Sequence, residues 1–258
     1  MNARDKKVII SAAKAGGKVV KSYFGKVLNV EEKSCAWDYR TQADVESEAA
    51  ILKILEKDFP TYNIVSEECG LIDKKSDYTF YVDPLDGTNN FVLGVPNFSV
   101  LISLARGKEA IFGLVYLPML DLCYWAEKGK GAFCGRNRLQ LSLETSMEKV
   151  TMAYACAYKT PKEEVMRVVS NIELKGDPKR LLFSWSPAVD FCLLASGKIE
   201  TIFNDKTEIH DFLGAKLILR EAGCVITDTK GKPDVDDFCP TFLASNNKSI
   251  HKKVLSLI

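Results

Sequence analysis

The sequence predicts an α+β protein in which layered β-sheets have helices between and outside them. Two segments with helical periodicity open the chain, and a run of consecutive strand-like segments follows them. The second half instead alternates strand-like and helix-like segments. A β-meander followed by alternating β and α elements is typical of layered sheets. The 258 residues have the length of one large domain or two small ones, and no linker or repeat separates the halves.

The first two helices are predicted from apolar spacing and from residues that start and stop helices. Apolar side chains recur at helical spacing over residues 4–24, and Gly25 ends this pattern. The tetrapeptide Thr41-Gln42-Ala43-Asp44 resembles a capping box, which would begin a second helix. This helix is expected to continue to about Asp58, before Pro60.

The strands of the first half are predicted from short apolar runs bounded by turn residues. Residues 63–66 form one such run, and residues 78–82 form another that has the character of a buried strand. Gly107, Pro118 and Gly129 punctuate the stretch that follows. Antiparallel strands are therefore predicted over residues 98–105, 110–117, 122–127 and 131–134.

The second half is expected to alternate strands with helices. Strands are predicted at residues 150–158, near 181–183, and at 201–203, 224–227 and 242–245. Helices are predicted after Pro161, over residues 187–196 and 211–222, and after Asn247. The periodicity of the apolar residues changes accordingly between these segments.

Composition excludes several functional classes. The net charge is +1 and the basic residues are scattered, so nothing favours binding to nucleic acid or to an anionic membrane. No apolar run approaches the ~18 residues of a membrane span, and the polar start lacks a signal-peptide pattern. The eight cysteines form no CxxC pair and have no zinc-site spacing with histidine. We therefore expect a cytoplasmic protein with cysteines in its core.

The run Asp83-Pro84-Leu85-Asp86-Gly87-Thr88 follows the predicted buried strand and contains two carboxylates three residues apart. On a stiff turn, the two could face one small volume, where their mutual repulsion would favour a bound cation. Carboxylate oxygens suit Mg²⁺. Asp-Pro and Asp-Gly are also ordinary turn dipeptides, so the run alone is equally consistent with the plain end of a strand.

Other acidic residues lie where predicted elements begin or end. Glu67 and Glu68 follow a short strand, whereas Asp44 and Asp211 lie at helix starts. Each has a structural alternative, because acidic residues stabilise helix N-termini and are common in solvated loops. Jointly, these segments and the aspartate run could supply the carboxylates that hold two Mg²⁺ ions for phosphoryl chemistry.

Three motifs, in this order, give the sequence a resemblance to the inositol monophosphatase family. They are Glu67-Glu68, the run Asp83 to Phe91, which matches D-P-[LI]-D-G-T-x-N-F, and the segment from Asp211 to Gly223. Lys33-Ser34 also lies in register with the N-terminal element of the family, as do Thr41 and Asp44. The resemblance spans nearly the whole chain. It implies one domain, 1–258, folded as a layered αβαβα sandwich of the sugar-phosphatase type, with parts of about 1–145 and 146–258. Relatives are usually homodimers.

The resemblance also implies roles for individual residues. Glu67, Asp83 and the backbone carbonyl of Leu85 would hold one Mg²⁺, and Asp83, Asp86 and Asp211 a second. A third, weaker ion is bound by some relatives, partly through Glu67. Asp44 would accept a hydrogen bond from Thr88, and this pair, with Glu67, would activate the attacking water. Substrate contacts are implied for Gly87, Thr88, Ser186, Asn204 and Asp211.

The sequence departs from the family pattern at three places. His210 stands where the family usually has Trp, which favours a packing role over that of a new ligand. Asn204 replaces a Glu that binds sugar hydroxyls in inositol-specific relatives. Trp185-Ser186-Pro187 replaces a small Gly-[ST]-Ala turn. Asn204 and this turn would line the leaving-group side of the site, so the departures put the identity of the alcohol in doubt.

The resulting functional hypothesis is a Mg²⁺-dependent phosphomonoesterase that acts on a small polyol or sugar phosphate. Inositol 1-phosphate is the default substrate by resemblance. Fructose 1,6-bisphosphate, histidinol phosphate and adenosine 3′,5′-bisphosphate are alternatives with the same chemistry. A non-enzymatic regulatory role is the alternative from another class, since some bacterial relatives also bind transcription machinery. No nucleic acid or membrane partner is expected.

Overall fold

The computed structural model describes residues 1–26 and 30–258. Helices α1 (Ala3–Tyr23) and α2 (Gln42–Asp58) pack against each other. The predicted capping box begins α2, because the Thr41 backbone N–H donates to the Asp44 carboxylate at 2.8 Å. The Thr41 hydroxyl in turn accepts a hydrogen bond from the Ala43 N–H. These bonds satisfy N–H groups that have no partner within the helix.

The N-terminal part contains a small hairpin and a large mixed sheet. The hairpin pairs β1 (Val30–Glu32) with β2 (Tyr39–Thr41). The large sheet has the spatial order β10-β9-β8-β7-β6-β5-β3-β4 within the described residues. Its strands are β3 (Asn63–Ser66), β4 (Gly70–Ile72), β5 (Tyr78–Asp86), β6 (Ser99–Arg106), β7 (Glu109–Leu117), β8 (Leu122–Glu127), β9 (Gly131–Cys134) and β10 (Asn137–Arg138).

The C-terminal part contains a second sheet with the order β12-β11-β13-β15-β14. Its strands are β11 (Thr151–Cys156), β12 (Arg180–Leu182), β13 (Thr201–Asp205), β14 (Val225–Thr227) and β15 (Phe242–Ser245). The remaining α-helices are α3 (Thr88–Val92), α4 (Lys162–Asn171), α5 (Pro187–Ala195), α6 (Ile209–Ala222) and α7 (Lys248–Leu255). Short 3₁₀ and π turns at Met147–Lys149 and Ile172–Gly176 complete the elements.

Three hydrophobic cores define the layers. One joins α1 and α2 to one face of the large sheet, through residues such as Ile51 and Phe80. The second lies between the two sheets and contains α5 and α6, with Phe191 and Phe212 among its side chains. The third joins the outer face of the second sheet to α4 and α7. The order is therefore helices, sheet, helices, sheet, helices, which confirms the α+β layered arrangement.

The core between the sheets contains residues of both predicted parts of the chain. Leu101 and Val115 belong to the N-terminal part, and Ile202 and Phe242 belong to the C-terminal part. Because neither part can bury these side chains without the other, separating them would expose an apolar surface. We propose that residues 1–258 form one domain.

The structure differs from the sequence prediction most clearly around the aspartate run. β5 was expected to end at Val82, with the aspartates on a turn, but it continues to Asp86. The pairing register with β6 shifts between Asp83 and Asp86. A break in register accommodates Pro84, which cannot donate to a neighbouring strand. The elements that were not predicted are all short, namely β1, β2, β4, β10 and α3.

Two glycines allow α6 to lie directly on the large sheet. A Cβ atom on Gly113 of β7 would lie 2.1 Å from the carbonyl oxygen of Gly214 in α6. We expect Gly113→Ala to lower the free energy of unfolding by about 3 kcal/mol, because the helix must move away from the strand. Chemical denaturation would measure this. The matched control is Gly176→Ala, whose new Cβ meets only the flexible tip of Leu257, and we expect a cost below about 1 kcal/mol.

His251 of α7 is expected to make stability depend on pH. Its ring nitrogens lie 2.9 Å from the Thr227 hydroxyl and 3.0 Å from the Ser245 hydroxyl, and burial lowers its pKa to about 4. An unfolded histidine has a pKa near 6.5, so the unfolded chain binds a proton that the folded chain rejects. The stability contributed by neutral His251 is thus present above pH 6.5 and is lost as the pH falls towards 4.

We expect this loss to reach about 3 kcal/mol, at ~1.4 kcal/mol for each unit of pKa difference. Urea denaturation at several pH values would measure it against His251→Gln, which cannot titrate. The variant should lose less stability between pH 6.5 and 4 than the wild type. Identical pH slopes would contradict the prediction.

No helix within residues 1–26 and 30–258 has both the length and the hydropathy needed to cross a membrane.

Candidate functional site

A cavity of about 490 Å³ opens where the C-terminal end of β5 meets α3, α6 and the β1–β2 hairpin. All five predicted metal donors lie on its wall, and they are Glu67, Asp83, Leu85, Asp86 and Asp211. Gly87 and Thr88 also line it. The fold thus brings together residues separated by more than a hundred positions in sequence. A volume of this size is typical of a site for a small organic ligand.

The two aspartates of β5 are buried, and protein donors hold them in place. Asp83 accepts a hydrogen bond from the Leu85 backbone N–H at 2.9 Å. Asp86 accepts hydrogen bonds through one oxygen, Oδ2, from the hydroxyls of Ser99 and Ser186. The donors therefore fix the orientation of each carboxylate.

Glu67 lies in the loop that follows β3, and a buried glutamate from another element organises this loop. Glu48 of α2 accepts hydrogen bonds from the Ser66 hydroxyl and from the Glu68 and Cys69 backbone N–H groups. The Glu67 carboxylate pairs with the Lys33 ammonium at 2.7 Å. Lys33, which follows β1, also pairs with Glu68, so ion pairs join the β1–β2 hairpin to this loop. Burial alone would lower the pKa of Lys33, but the two carboxylates beside it raise that pKa.

Asp211 lies in the first turn of α6, where its Oδ2 accepts the Glu208 backbone N–H at 2.9 Å. The same carboxylate is 3.4 Å from Nε2 of His210, whose ring is buried and lines the cavity. Asp211 therefore stabilises the start of α6, as its position in sequence suggested, and it also faces the cavity.

Thr88 and Asp44 form a hydrogen-bonded pair behind the aspartates. The Thr88 hydroxyl lies 3.0 Å from both Asp44 Oδ1 and the Leu85 carbonyl oxygen. Asp44 is fully buried, and burial raises its pKa to about 7. Gly87 precedes Thr88 with φ of +88°, a conformation that glycine adopts without strain. A Cβ atom on Gly87 would crowd Ser186 at 3.1 Å.

The electrostatics of the cavity favour a bound cation. Burial raises the pKa values of Asp83 and Asp86, and repulsion from nearby carboxylates raises them further. Burial likewise raises the pKa of Asp211 to about 6, with a contribution from Glu67. These groups resist ionisation until positive charge approaches them. Their oxygen donors suit a hard divalent ion such as Mg²⁺.

The donors do not yet form a closed cage. Among residues 1–26 and 30–258, no three acidic, cysteine or histidine side chains converge closely enough to hold a metal ion. Asp86, Asp211 and Glu67 are each engaged with a protein donor, which accounts for the open arrangement. The chemistry of the donor set fits a divalent cation, and rotation of these side chains would be needed to complete the coordination.

Two residues that were predicted to contact the substrate, Ser186 and Asn204, lie in different places relative to the cavity. Ser186 is buried, caps α5 just before Pro187, and donates its hydroxyl to Asp86. Asn204 is fully buried in β13, and its amide is hydrogen-bonded to Thr207 and to the Pro240 carbonyl oxygen. Within the described part of the chain, Asn204 does not lie on the cavity wall. The structure therefore does not bring Asn204 to the substrate side, where it was expected, because its amide satisfies neighbouring backbone and side-chain groups.

Sequence analysis missed a buried acid that supports the site. Asp190 of α5 is 2% exposed and accepts a hydrogen bond from the Ser184 hydroxyl at 2.6 Å. The Ser184 backbone carbonyl accepts one from Asn90 of α3 at 2.6 Å. Asp190 thus helps to hold the Trp185 turn against α3. An acidic residue inside the apolar segment of α5 was the available signal.

Comparisons with known proteins agree with this geometry. Residues 1–258 match the profile of the inositol monophosphatase family. The chain is 33% identical over 250 residues to a fructose-1,6-bisphosphatase/inositol-1-monophosphatase of Aquifex aeolicus, which covers 95% of this chain and 92% of that protein. It is 32% identical to the Nus factor SuhB of Haemophilus influenzae, over 85% of this chain and 83% of that protein.

A solved structure has the same fold. The extragenic suppressor protein suhB of Bartonella henselae superimposes with a TM-score of 0.91 at 29% identity, over 99% of this chain and 98% of that one. The family consists of phosphatases that typically use divalent metal ions. Motifs, fold and family profile agree over the whole chain, which belongs to the inositol monophosphatase family.

Proposed function

We propose that this chain is a Mg²⁺-dependent phosphomonoesterase that hydrolyses a small polyol or sugar phosphate. The observation that carries the proposal is the single cavity in which Glu67, Asp83, Asp86 and Asp211 meet beside the Thr88–Asp44 pair. Inositol 1-phosphate remains the default substrate, with fructose 1,6-bisphosphate, histidinol phosphate and adenosine 3′,5′-bisphosphate as alternatives.

In this proposal, Glu67, Asp83 and the Leu85 carbonyl would hold one ion, and Asp83, Asp86 and Asp211 a second. A third ion would bind partly through Glu67. Bound Mg²⁺ would neutralise the phosphate, acidify a water molecule and stabilise the leaving alkoxide. The carboxylates of Asp83 and Asp86 are buried, and they are therefore poorly solvated and strongly attracted to a cation.

The chain's own groups would position the reactants and move the proton. Thr88 donates its hydroxyl to Asp44, and burial raises the pKa of Asp44 to about 7, which makes this carboxylate more basic than an exposed aspartate. With Glu67, this pair would orient and deprotonate the attacking water. The backbone N–H groups of Gly87 and Thr88 would donate to the phosphate. Ser186 holds Asp86 and contributes to the substrate side of the site indirectly.

Phosphate release from a panel of small phosphomonoesters, with Mg²⁺ titrated, tests the proposal. We expect turnover that needs Mg²⁺ and is lost with EDTA. A parallel thermal unfolding series should show that Mg²⁺ raises the melting temperature, because it relieves repulsion between the buried carboxylates. Hydrolysis that continues unchanged in EDTA would contradict the proposal.

A non-enzymatic regulatory role is the second candidate. The similarity to a protein named Nus factor SuhB supports it. Turnover of p-nitrophenyl phosphate with and without Mg²⁺ separates the two roles. A folded chain that hydrolyses no ester in the panel would favour the regulatory role. A homodimer and a cytoplasmic location remain predictions, and sedimentation would test the first of these.

A further inference from the structure

Part of the cavity wall is aromatic, and we define this aromatic wall as Tyr154, Tyr158, Phe183 and Trp185. Three of these side chains are unusually exposed for their size, at 41% for Tyr158, 47% for Phe183 and 53% for Trp185. Large apolar side chains exposed together commonly mark a binding surface. Because these side chains share a cavity with the carboxylates, their position favours a ligand that reaches both.

The backbone holds Trp185 in a conformation that bulky residues rarely adopt. Its φ is +54°, in the left-handed region that costs a non-glycine residue about 1 kcal/mol or more. The flanking residues fix this turn, since Ser184 bonds to Asp190 and Ser186 bonds to Asp86. The same contacts therefore position both the indole and one of the proposed metal ligands.

Tyr154 provides an independent indication of a ligand. Its ring is 1% exposed, with Phe203 stacked on it at 5.3 Å and Phe183 packed edge-on at 5.2 Å. In the part of the chain that the structure describes, its hydroxyl is buried and has no hydrogen-bond partner. A buried hydroxyl without a partner is unfavourable, so a polar group brought by a ligand would stabilise it.

Among the described residues, the cavity wall lacks one group that was expected to bind the hydroxyls of a polyol. Asn204 is turned into the protein, where Thr207 and Pro240 use its amide. An exposed aromatic side chain such as Trp185 instead favours stacking with a planar ring, and such stacking tolerates many ring types because each has a π-face. The orphaned Tyr154 hydroxyl would then bond to a polar atom of the ring system or of the sugar that carries it.

We propose that the leaving alcohol carries a planar ring, as a nucleoside does, and that this ring stacks on the aromatic wall. This inference rests on the proposed phosphatase function. It restricts the candidate substrates to sugar phosphates that carry such a ring. Trp185 and Phe183 are then specificity residues, because they contact the leaving group and leave the reacting phosphorus to the carboxylates.

Adenosine 5′-monophosphate and ribose 5-phosphate form a matched pair of probes, since ribose 5-phosphate has a hydroxyl at the position where the nucleotide carries its planar base. We expect kcat/KM to be about tenfold higher for the nucleotide, mainly through KM, which corresponds to ~1.4 kcal/mol of stacking. Trp185→Ala should remove most of this preference, and Trp185→Phe should keep much of it. Leu143→Ala, at an exposed position outside the cavity wall, is the control and should leave the preference intact.

Binding of adenosine, measured by calorimetry without turnover, separates this inference from the phosphatase proposal. Adenosine should bind the wild type and bind Trp185→Ala at least about fivefold more weakly, and ribose should not bind. Tyr154→Phe should also weaken binding without lowering the melting temperature, because no protein partner is lost.

If neither ester is hydrolysed but adenosine still binds, the result would count against the proposed phosphatase activity and not against the ring site. Equal kcat/KM for both esters, together with no adenosine binding, would overturn the ring site. A wild type that treats both esters alike, together with a Trp185→Ala variant that sediments as a smaller species, would also overturn it, since the wall would then be a contact between copies of the chain.

Discussion

Asp86→Asn is expected to reduce Mg²⁺-dependent phosphate release by about a thousandfold, a larger effect than that of any other substitution proposed for this chain. A metal ion that stabilises the charge of the transition state lowers the activation free energy by several kcal/mol. Each ~1.4 kcal/mol corresponds to a factor of ten in rate. The amide oxygen can still accept hydrogen bonds from Ser99 and Ser186, so the fold should persist. In Asp86→Asn, the rise in melting temperature that Mg²⁺ induces should also be smaller than in the wild type.

The matched control for Asp86→Asn is Asp73→Asn, which removes a surface carboxylate that pairs with nearby Lys75. Its activity should stay within about twofold of wild type, because exposed pairs contribute little. In the absence of Mg²⁺, Asp86→Asn should be at least as stable as the wild type, since the buried aspartate must either ionise near other carboxylates or take up a proton, and asparagine does neither. Full activity in Asp86→Asn would disprove the assignment of Asp86 as a metal ligand.

Thr88→Val is expected to lower kcat by about a hundredfold or more, the second-largest effect. Valine keeps the branched shape of threonine but removes the hydroxyl that joins Asp44 to the Leu85 carbonyl. Positioned proton transfer commonly contributes ~10² to 10⁴ in rate. Steady-state kinetics at saturating Mg²⁺ would measure the change, and the loss should appear in kcat more than in KM.

The conservative variant Thr88→Ser gives the control, because it retains the hydroxyl and should keep most of the activity. Thermal shifts with Mg²⁺ should remain in Thr88→Val, whose side chain is not a proposed ligand. This pattern would distinguish a role in proton transfer from a role in metal binding. Equal losses in the serine and valine variants would argue that packing at this position matters more than the hydroxyl.

Local signals predicted much of the helical structure. The sequence Thr41-Gln42-Ala43-Asp44 predicted the start of α2, because a capping box depends only on groups three residues apart. Pro187 was expected to begin α5, and it does so, since its fixed φ suits the first helical position. Short strands such as β1 and β4 escaped prediction, because three residues carry too little periodicity and depend on their partners.

The site was only partly predictable from local patterns. Asp83, Asp86 and Asp211 lie in motifs that carry their own signal, and all three reach the cavity. Asn204 was expected there because it replaces a Glu that binds sugar hydroxyls in inositol-specific relatives, but its amide turns into the protein. Asp190 gave no motif, and its role depends on Ser184, which approaches it only in the folded chain.

By itself the sequence determined the family, the layered fold class and the acidic residues of the candidate site, because these follow from periodicity, caps and contiguous motifs. The tertiary structure decided which residues face the cavity. It turned Asn204 inward, fixed Trp185 with φ of +54° at the cavity wall and left the Tyr154 hydroxyl without a partner among the described residues. The physical reason is that the burial and hydrogen bonding of each side chain depend on groups from distant segments of the chain. Only the folded chain brings these groups together.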